Sequence, residues 1–188
     1  MRIVLASESQ SRKRALDLLG LAYETCPSGI DEKSIRDPDP IALVRKLAEA
    51  KARKVAASFS NAVVISGDAV VSKAGKIYEK PLHHQQAAEF LRELSGSQFQ
   101  FVTSFAVFRP DSQNMLSAVE VSEIWFRQLL DREIREYIGQ YPVLQCAGAF
   151  EGDGVLRFAE RISGSYNFSV AMPISRLILL LREQGVEI

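Results

Sequence analysis

Asp68 directly follows the run Ala62-Val63-Val64-Ile65-Ser66-Gly67, and a carboxylate so placed has two chemical uses. It can hold a divalent metal ion or take a proton from an attacking water. The run reads as a central strand buried on both faces, which sets Asp68 at the strand's C-terminal edge, where open α/β sheets keep their ligand crevices. The plainer alternative is a turn aspartate that caps the next segment. Glu32 lies in a second acidic turn, Gly29-Ile30-Asp31-Glu32-Lys33, beside Asp31. Two carboxylates from separate turns suffice for Mg²⁺, which keeps several waters and lets substrate phosphates complete its shell. Without such a partner, Glu32 belongs to a solvated acidic loop.

Cations complete the set. Lys51 sits within Leu47-Ala48-Glu49-Ala50-Lys51-Ala52, in a predicted helix where most lysines are merely solvated. Lys80 follows a predicted strand and is held by Pro81. Near the start, the apolar strand Ile3–Ala6 runs into Ser7, Ser9 and Ser11, and a basic amphipathic helix begins at once with Arg12. Hydroxyls, unpaired backbone N–H groups and a positive helix end at one point suit an anion such as a phosphate. A plain helix cap is the competing reading. Taken together, the two carboxylates and the cations would surround a triphosphate, neutralising its oxygens while a metal polarises the reacting phosphorus.

The rest of the chain narrows the field. Its 188 residues suit a single domain spanning 1–188, or one core with two lobes. Lys plus Arg and Asp plus Glu number 23 each, so no global field recruits a nucleic-acid polymer or an anionic membrane. Cys26 and Cys146 show no CxxC spacing and read as reduced thiols, small buried hydrophobes rather than nucleophiles. Ile3–Ala6 is too short for a signal peptide, and the tail Ile174–Leu181 is interrupted by Ser175 and Arg176, so a soluble, cytoplasmic protein is expected. There is no GxxxxGK[ST], no GxGxxG after the first strand, no HExxH and no GxSxG. His83 and His84 are adjacent and point apart, a poor metal pair.

These residues need elements to hold them. Ala22–Ser28 reads as a second strand, and Asp37-Pro38-Asp39-Pro40 restarts the chain as a helix from about Ile41 to Phe59. Ala74-Gly75-Lys76 turns the chain, and a helix over Gln85–Leu94 stops at Ser95-Gly96. Phe99–Arg109 and Met115–Arg127 read as an antiparallel pair joined through Pro110–Asn114. Asp131 is expected to cap a helix reaching Ile138, and Cys146–Ser169 to form strands around a loop. A final helix is expected to start at Pro173. Alternating strands and helices give an α/β fold with a mixed sheet and flanking helices.

Several short motifs occur in one order. Leu5-Ala6-Ser7-x-Ser9 with Arg12 is followed by Leu18-Leu19, Leu47-Ala48-x-x-Lys51-Ala52, Gly67-Asp68-x-Val70-Val71 and Lys80-Pro81. Leu94-Ser95-Gly96, Ala147-Gly148-Ala149-Phe150 and Pro173-Ile174 continue the series. The ordered set, covering nearly the whole chain, resembles the Maf family of nucleoside triphosphate pyrophosphatases. The resemblance implies a two-lobed α/β fold similar to inosine triphosphate pyrophosphatases, with a cleft between the lobes. It implies a reaction dependent on Mg²⁺ or Mn²⁺ that splits a nucleoside triphosphate into a monophosphate and pyrophosphate. It makes Asp68 the catalytic carboxylate, with Ser7, Arg12, Glu32, Lys51 and Lys80 around the phosphates and metal, and it implies a cytoplasmic homodimer.

Within the family, Leu144–Gly154 is similar to the 7-methyl-GTP (YceF) branch and lacks the Lys-Ala-Gly-Ala-Tyr-Gly-Ile-Gln run of the dTTP/UTP branch. Asp153 could accept hydrogen bonds from the N1–H and N2–H₂ edge of guanine, whereas a uracil or thymine edge offers one N–H between two carbonyls. A buried hydrogen-bonding residue discriminates strongly between such edges. Ser11 stands where the 7-methyl-GTP branch carries an aromatic residue and the dTTP/UTP branch an arginine, and Ala69 where they carry glutamine and threonine. Ala171-Met172 replaces Gly-Leu before Pro173. A pyrimidine triphosphate pyrophosphatase is the alternative enzyme. A nucleotide-binding regulator of septum formation with little turnover is the alternative outside enzymes.

Overall fold

A computed structural model of the chain describes residues 1–165 and 171–188. Its strands are β1 (Arg2–Leu5), β2 (Glu24–Thr25), β3 (Ala62–Lys73), β4 (Lys76–Tyr78), β5 (Gln98–Arg109), β6 (Asn114–Phe126) and β7 (Ala159–Ser163). Its α-helices are α1 (Gln10–Leu18), α2 (Pro40–Ala56), α3 (His84–Leu94), α4 (Asp131–Gln140) and α5 (Ile174–Glu183). The strands form a mixed sheet in the order β2-β1-β3-β5-β6-β7, with β4 paired to β3. This is the α/β class that the alternating pattern predicts. The chain divides into two compact units, one made of Met1–Asp68, Thr103–Glu120 and Val170–Ile188, the other of Ala69–Val102 and Val121–Ser169.

In the first unit β1 lies parallel to β2 and to β3, with Ile3 opposite Val63 and Leu5 opposite Ile65. Successive side chains of a strand point to opposite faces, and two apolar clusters follow from that alternation. Ile3, Leu5, Val63, Ile65, Phe105 and Val107 pack against Leu16 of α1 and Leu177 and Leu181 of α5. Val4, Ala6, Ala62, Val64, Ala106 and Phe108 pack against Ala48, Ala52 and Val55 of α2. Helix α2 starts where the sequence says it should: Pro40 opens it, and the Asp39 carboxylate accepts from the N–H groups of Ile41 and Ala42. β5 and β6 are sheet neighbours joined by residues 110–113, far too short for a parallel crossover.

The second unit has an aromatic centre. Phe99 and Phe126 meet edge to face at 4.7 Å, Phe126 meets Phe158 at 5.6 Å, and Tyr137 lies 4.4 Å from Phe158 and 4.3 Å from Tyr141. Such edge-to-face and offset pairs suit the ring quadrupole.

Several expectations change. The second strand is only Glu24–Thr25 rather than Ala22–Ser28; the Cys26 N–H still donates to the Leu5 carbonyl at 3.0 Å, and an exposed or half-buried stretch follows. Asp131 is the first residue of α4 rather than its cap; the Glu133 carboxylate accepts from the Leu130 N–H and closes that end. The part of Cys146–Ser169 within the described residues holds 3₁₀ turns at Ala147–Ala149 and Gly154–Arg157 and the single strand β7. Residues 166–169 of that segment lie outside the described chain. His83 caps α3, its Nδ1 accepting from the Gln86 N–H. Pro173 is the cap of α5, not its first residue. Just before it, Ala171 has a positive φ of 49°, a conformation natural to glycine and strained for alanine.

Candidate active site

Asp68 is not at the end of its strand. β3 continues unbroken to Lys73, because Val70 and Val71 are buried and Val71–Lys73 pair with β4. The lateral ladders nevertheless leave it a gap. The β1 ladder stops at Leu5–Ile65 and the β4 ladder begins at Val71–Tyr78, so neither includes Ser66–Val70.

The pleat then aims the side chains. Ala62 and Val64 belong to the α2 face, so Ser66 and Asp68, two and four residues on, share it. Ser66 Oγ donates to the Ala48 carbonyl of α2 at 2.6 Å. On β5, Ser104 Oγ donates to the Val44 carbonyl at 2.5 Å. Lys51 lies one helical turn beyond Ala48 on the same face of α2, and its long stem carries the ammonium to Asp68, with Nζ 2.6 Å from Oδ1.

Lys51 also reaches Glu32, its Nζ lying 2.8 Å from Oε1. Glu32 opens a short 3₁₀ turn, Glu32–Ser34, capped by the Asp31 carboxylate through the Lys33 N–H. One ammonium thus bridges two carboxylates. The side chains of Lys51 and Asp68 are 8% and 10% exposed, and that of Glu32 is 49% exposed.

Arg12, on α1, is also buried. Its Nη1 donates to Ser7 Oγ at 3.2 Å, and its buried Nε has no hydrogen-bond partner. The guanidinium lies against Gly67, where a Cβ would stand 3.0 Å from Nε and 2.8 Å from the Ser104 carbonyl oxygen. Only glycine fits there without a shift. Burial lowers the pKa of Arg12, while the charges of Asp68 and Glu32 hold it up. Burial, aided by Glu32, raises the carboxyl of Asp68 above the ordinary range, although Lys51 and Arg12 pull it down. A carboxylate so tuned is a better proton acceptor than a solvated one.

The serine-rich junction does not act as a plain cap. Ser9 makes no side-chain capping bond; instead Ser7 Oγ accepts from the Ser9 N–H and from Arg12. The first unit therefore brings together Ser7, Ser9, Arg12, Glu32, Lys51 and Asp68, with half-buried Ser11 next to Arg12 in α1. Ala69, Lys80 and Asp153 belong to the second unit. There Ala69 is half-buried in β3, and exposed Lys80 follows Glu79, whose carbonyl accepts from the Gly148 N–H. Asp153 is exposed at the head of the Gly154–Arg157 turn, so it lacks the burial that base discrimination draws on. Sequence reasoning passed over Ser66 and Ser104. The signal available for Ser66 was a hydroxyl within an otherwise apolar buried run.

Among the described residues no group of three or more His, Cys, Asp or Glu side chains could hold a metal alone. Glu32 and Asp68 still fit one, since both converge on a single cation position, now held by Lys51. Two carboxylates completed by water and phosphate oxygens match the hard-oxygen preference of Mg²⁺.

The sequence and the fold both have known counterparts. Residues 2–184 match the family described as Maf-like protein. A 7-methyl-GTP pyrophosphatase of Nitrosococcus oceani is 36% identical over 97% of this chain and 93% of its own. A dTTP/UTP pyrophosphatase of Deinococcus radiodurans is 37% identical over 98% of this chain and 94% of its own. Among solved structures, the Ham1 protein of Staphylococcus aureus shares the fold, with a TM-score of 0.53, 14% identity and coverage of 99% and 100% of the two chains.

Proposed function

The chain belongs to the Maf family, and we propose that it is a nucleoside triphosphate pyrophosphatase acting on 7-methyl-GTP with a divalent cofactor, Mg²⁺ or Mn²⁺. The observation that carries the reading is the buried Lys51 bridging Glu32 and Asp68 beside the partly unpaired Arg12. A structural ion pair would not need a raised carboxylate and an orphaned guanidinium N–H together.

Each residue then has a task. Asp68 accepts the proton of a water that attacks phosphorus at the scissile anhydride, in line with the departing oxygen. The P–O bond breaks and pyrophosphate leaves the nucleoside monophosphate. Arg12 supplies its unpaired Nε–H to phosphate oxygens, with Ser7 fixing the other arm of the guanidinium. Lys51 stabilises charge on the transferring group. Glu32 and Asp68 are the residues that would hold the divalent ion, which supplies charge neutralisation at the phosphates. Lys80 is assigned as a further phosphate cation, and the exposed Asp153 is given no part in choosing the base.

The two carboxylates balance Arg12 and Lys51, so this cluster offers a polyanion no surplus positive charge by itself. A nucleotide arriving with its own divalent ion meets that need. The pyrimidine alternative keeps one specific support: a relative bearing that activity is as similar as one acting on 7-methyl-GTP. Pyrophosphate release from 7-methyl-GTP, GTP, dTTP and UTP, each with Mg²⁺ and Mn²⁺, is the test. Fastest release from 7-methyl-GTP is expected; faster turnover of dTTP or UTP retires the 7-methyl-GTP reading, and no release with any of them retires the enzyme.

A further inference from the structure

We propose that Lys51 is a placeholder cation: in the substrate-free protein its ammonium occupies the position between Glu32 and Asp68 and keeps a free divalent ion out until a triphosphate draws it away. The inference deepens the function proposed above and rests on it for the identity of the displacing group. Both carboxylates are already engaged, at 2.6 and 2.8 Å from one nitrogen. A second cation entering between them would meet an ammonium at close range, and like charges so placed in a poorly solvated site repel strongly.

The arrangement also provides a way out. The base of Lys51 is fixed, because α2 is tied to β3 and β5 by the serine hydroxyls at Ala48 and Val44. Its four-carbon stem is flexible, and its ammonium is a compact charge with three rotatable donors. Glu32, on the more exposed side, belongs to a three-residue turn in an otherwise irregular, largely exposed stretch. The opening therefore lies on the Glu32 side. Phosphate oxygens can take over the ammonium as the carboxylates take over a divalent ion, so no buried charge is left alone during the exchange. In this order metal and nucleotide bind with positive coupling, each needing the other to move the lysine.

The experiment is a nucleotide-free titration with Mn²⁺, followed by the electron paramagnetic resonance signal of the free ion. Wild type, Lys51→Arg, Lys51→Gln and Lys51→Met are compared, each first checked for a cooperative melt. Weak binding by wild type and Lys51→Arg is expected, with Lys51→Gln and Lys51→Met tighter by at least about tenfold. Unchanged or weaker binding by both neutral variants overturns the proposal, as does tight binding by Lys51→Arg. Should the neutral variants not fold, wild type decides alone. Micromolar Mn²⁺ binding without nucleotide overturns the proposal; millimolar binding that tightens beyond the nucleotide's own chelation, with a non-hydrolysable methylene-bridged triphosphate, supports it. No turnover enters these readouts. A protein that passes them yet hydrolyses no triphosphate would overturn the function and leave the placeholder standing.

Discussion

Inside the first unit the charged side chains of Arg12, Lys51 and Asp68 are buried, whereas the second unit encloses the rings of Phe99, Phe126, Phe158 and Tyr137 and keeps the ion pairs Arg92–Asp131 and Arg127–Glu133 exposed. Burying charges costs folding free energy unless they are paired and hydrogen-bonded, and an apolar filling of equal volume is often more stable. Burying rings has no such penalty. The contrast teaches where this chain accepts a stability cost: the first unit holds the buried charges of the candidate site, and the second fills its interior with rings.

Replacing the central carboxylate should break the contrast most sharply. Asp68→Asn should lower pyrophosphate release by about 10²–10⁴-fold, the usual contribution of a general base. Its effect on stability has the opposite sense. The carboxyl of Asp68 is raised, so its contribution to folding is complete below the ordinary carboxylate range and is lost as pH rises through the raised value. Calorimetry near neutral pH should therefore find Asp68→Asn melting no lower than wild type. A clearly lower melt would mean that the charges hold the first unit together.

In the second unit, truncation of Phe158 should cost stability and nothing specific to chemistry. Phe158→Ala removes a fully buried ring touching Phe126 and Tyr137, with an expected loss of about 3–5 kcal/mol by urea denaturation. Gly67→Ala should fall between the two behaviours. Its Cβ would press on the Ser104 carbonyl and on Arg12, costing about 1–3 kcal/mol and raising the KM for nucleotide as the guanidinium is displaced.

The smallest effect should come from a surface pair. The carboxyl of Glu133 is held at about 2, below its ordinary 4.5, first by Arg127 and then by the Leu130 N–H. A depressed carboxyl stabilises above its ordinary value, and that contribution fades as pH falls toward 2. Glu133→Gln should melt slightly below wild type near neutral pH, and the gap should close progressively below pH 4.5.

The order of elements was legible because it is written locally. Asp39-Pro40 announces α2, the β-branched run announces β3, and Pro110–Asn114 announces a hairpin. What stayed hidden depends on distant contacts. Lys51 and Asp68 are seventeen residues apart, and nothing local tells a buried catalytic lysine from a solvated one. Family likeness put both residues around one site; the strand pleat and the serine bonds to α2 explain why they meet. The apolar run stops before Asp68 and so suggests a strand end there, yet β3 runs on to Lys73 and the glycine at 67 admits Arg12. The Cys146–Ser169 segment misled because glycine-punctuated 3₁₀ turns and strands share composition.

The hydroxyls of Ser66 and Ser104 have one more consequence. Aliphatic surfaces are forgiving, and a helix resting on them can slide by a full turn, about 5.4 Å, while keeping most of its greasy contact. Directional bonds to the carbonyls of Ala48 and Val44 forbid that slippage. They work as dowels, fixing the register in which a lysine three residues along meets its acid rather than open water.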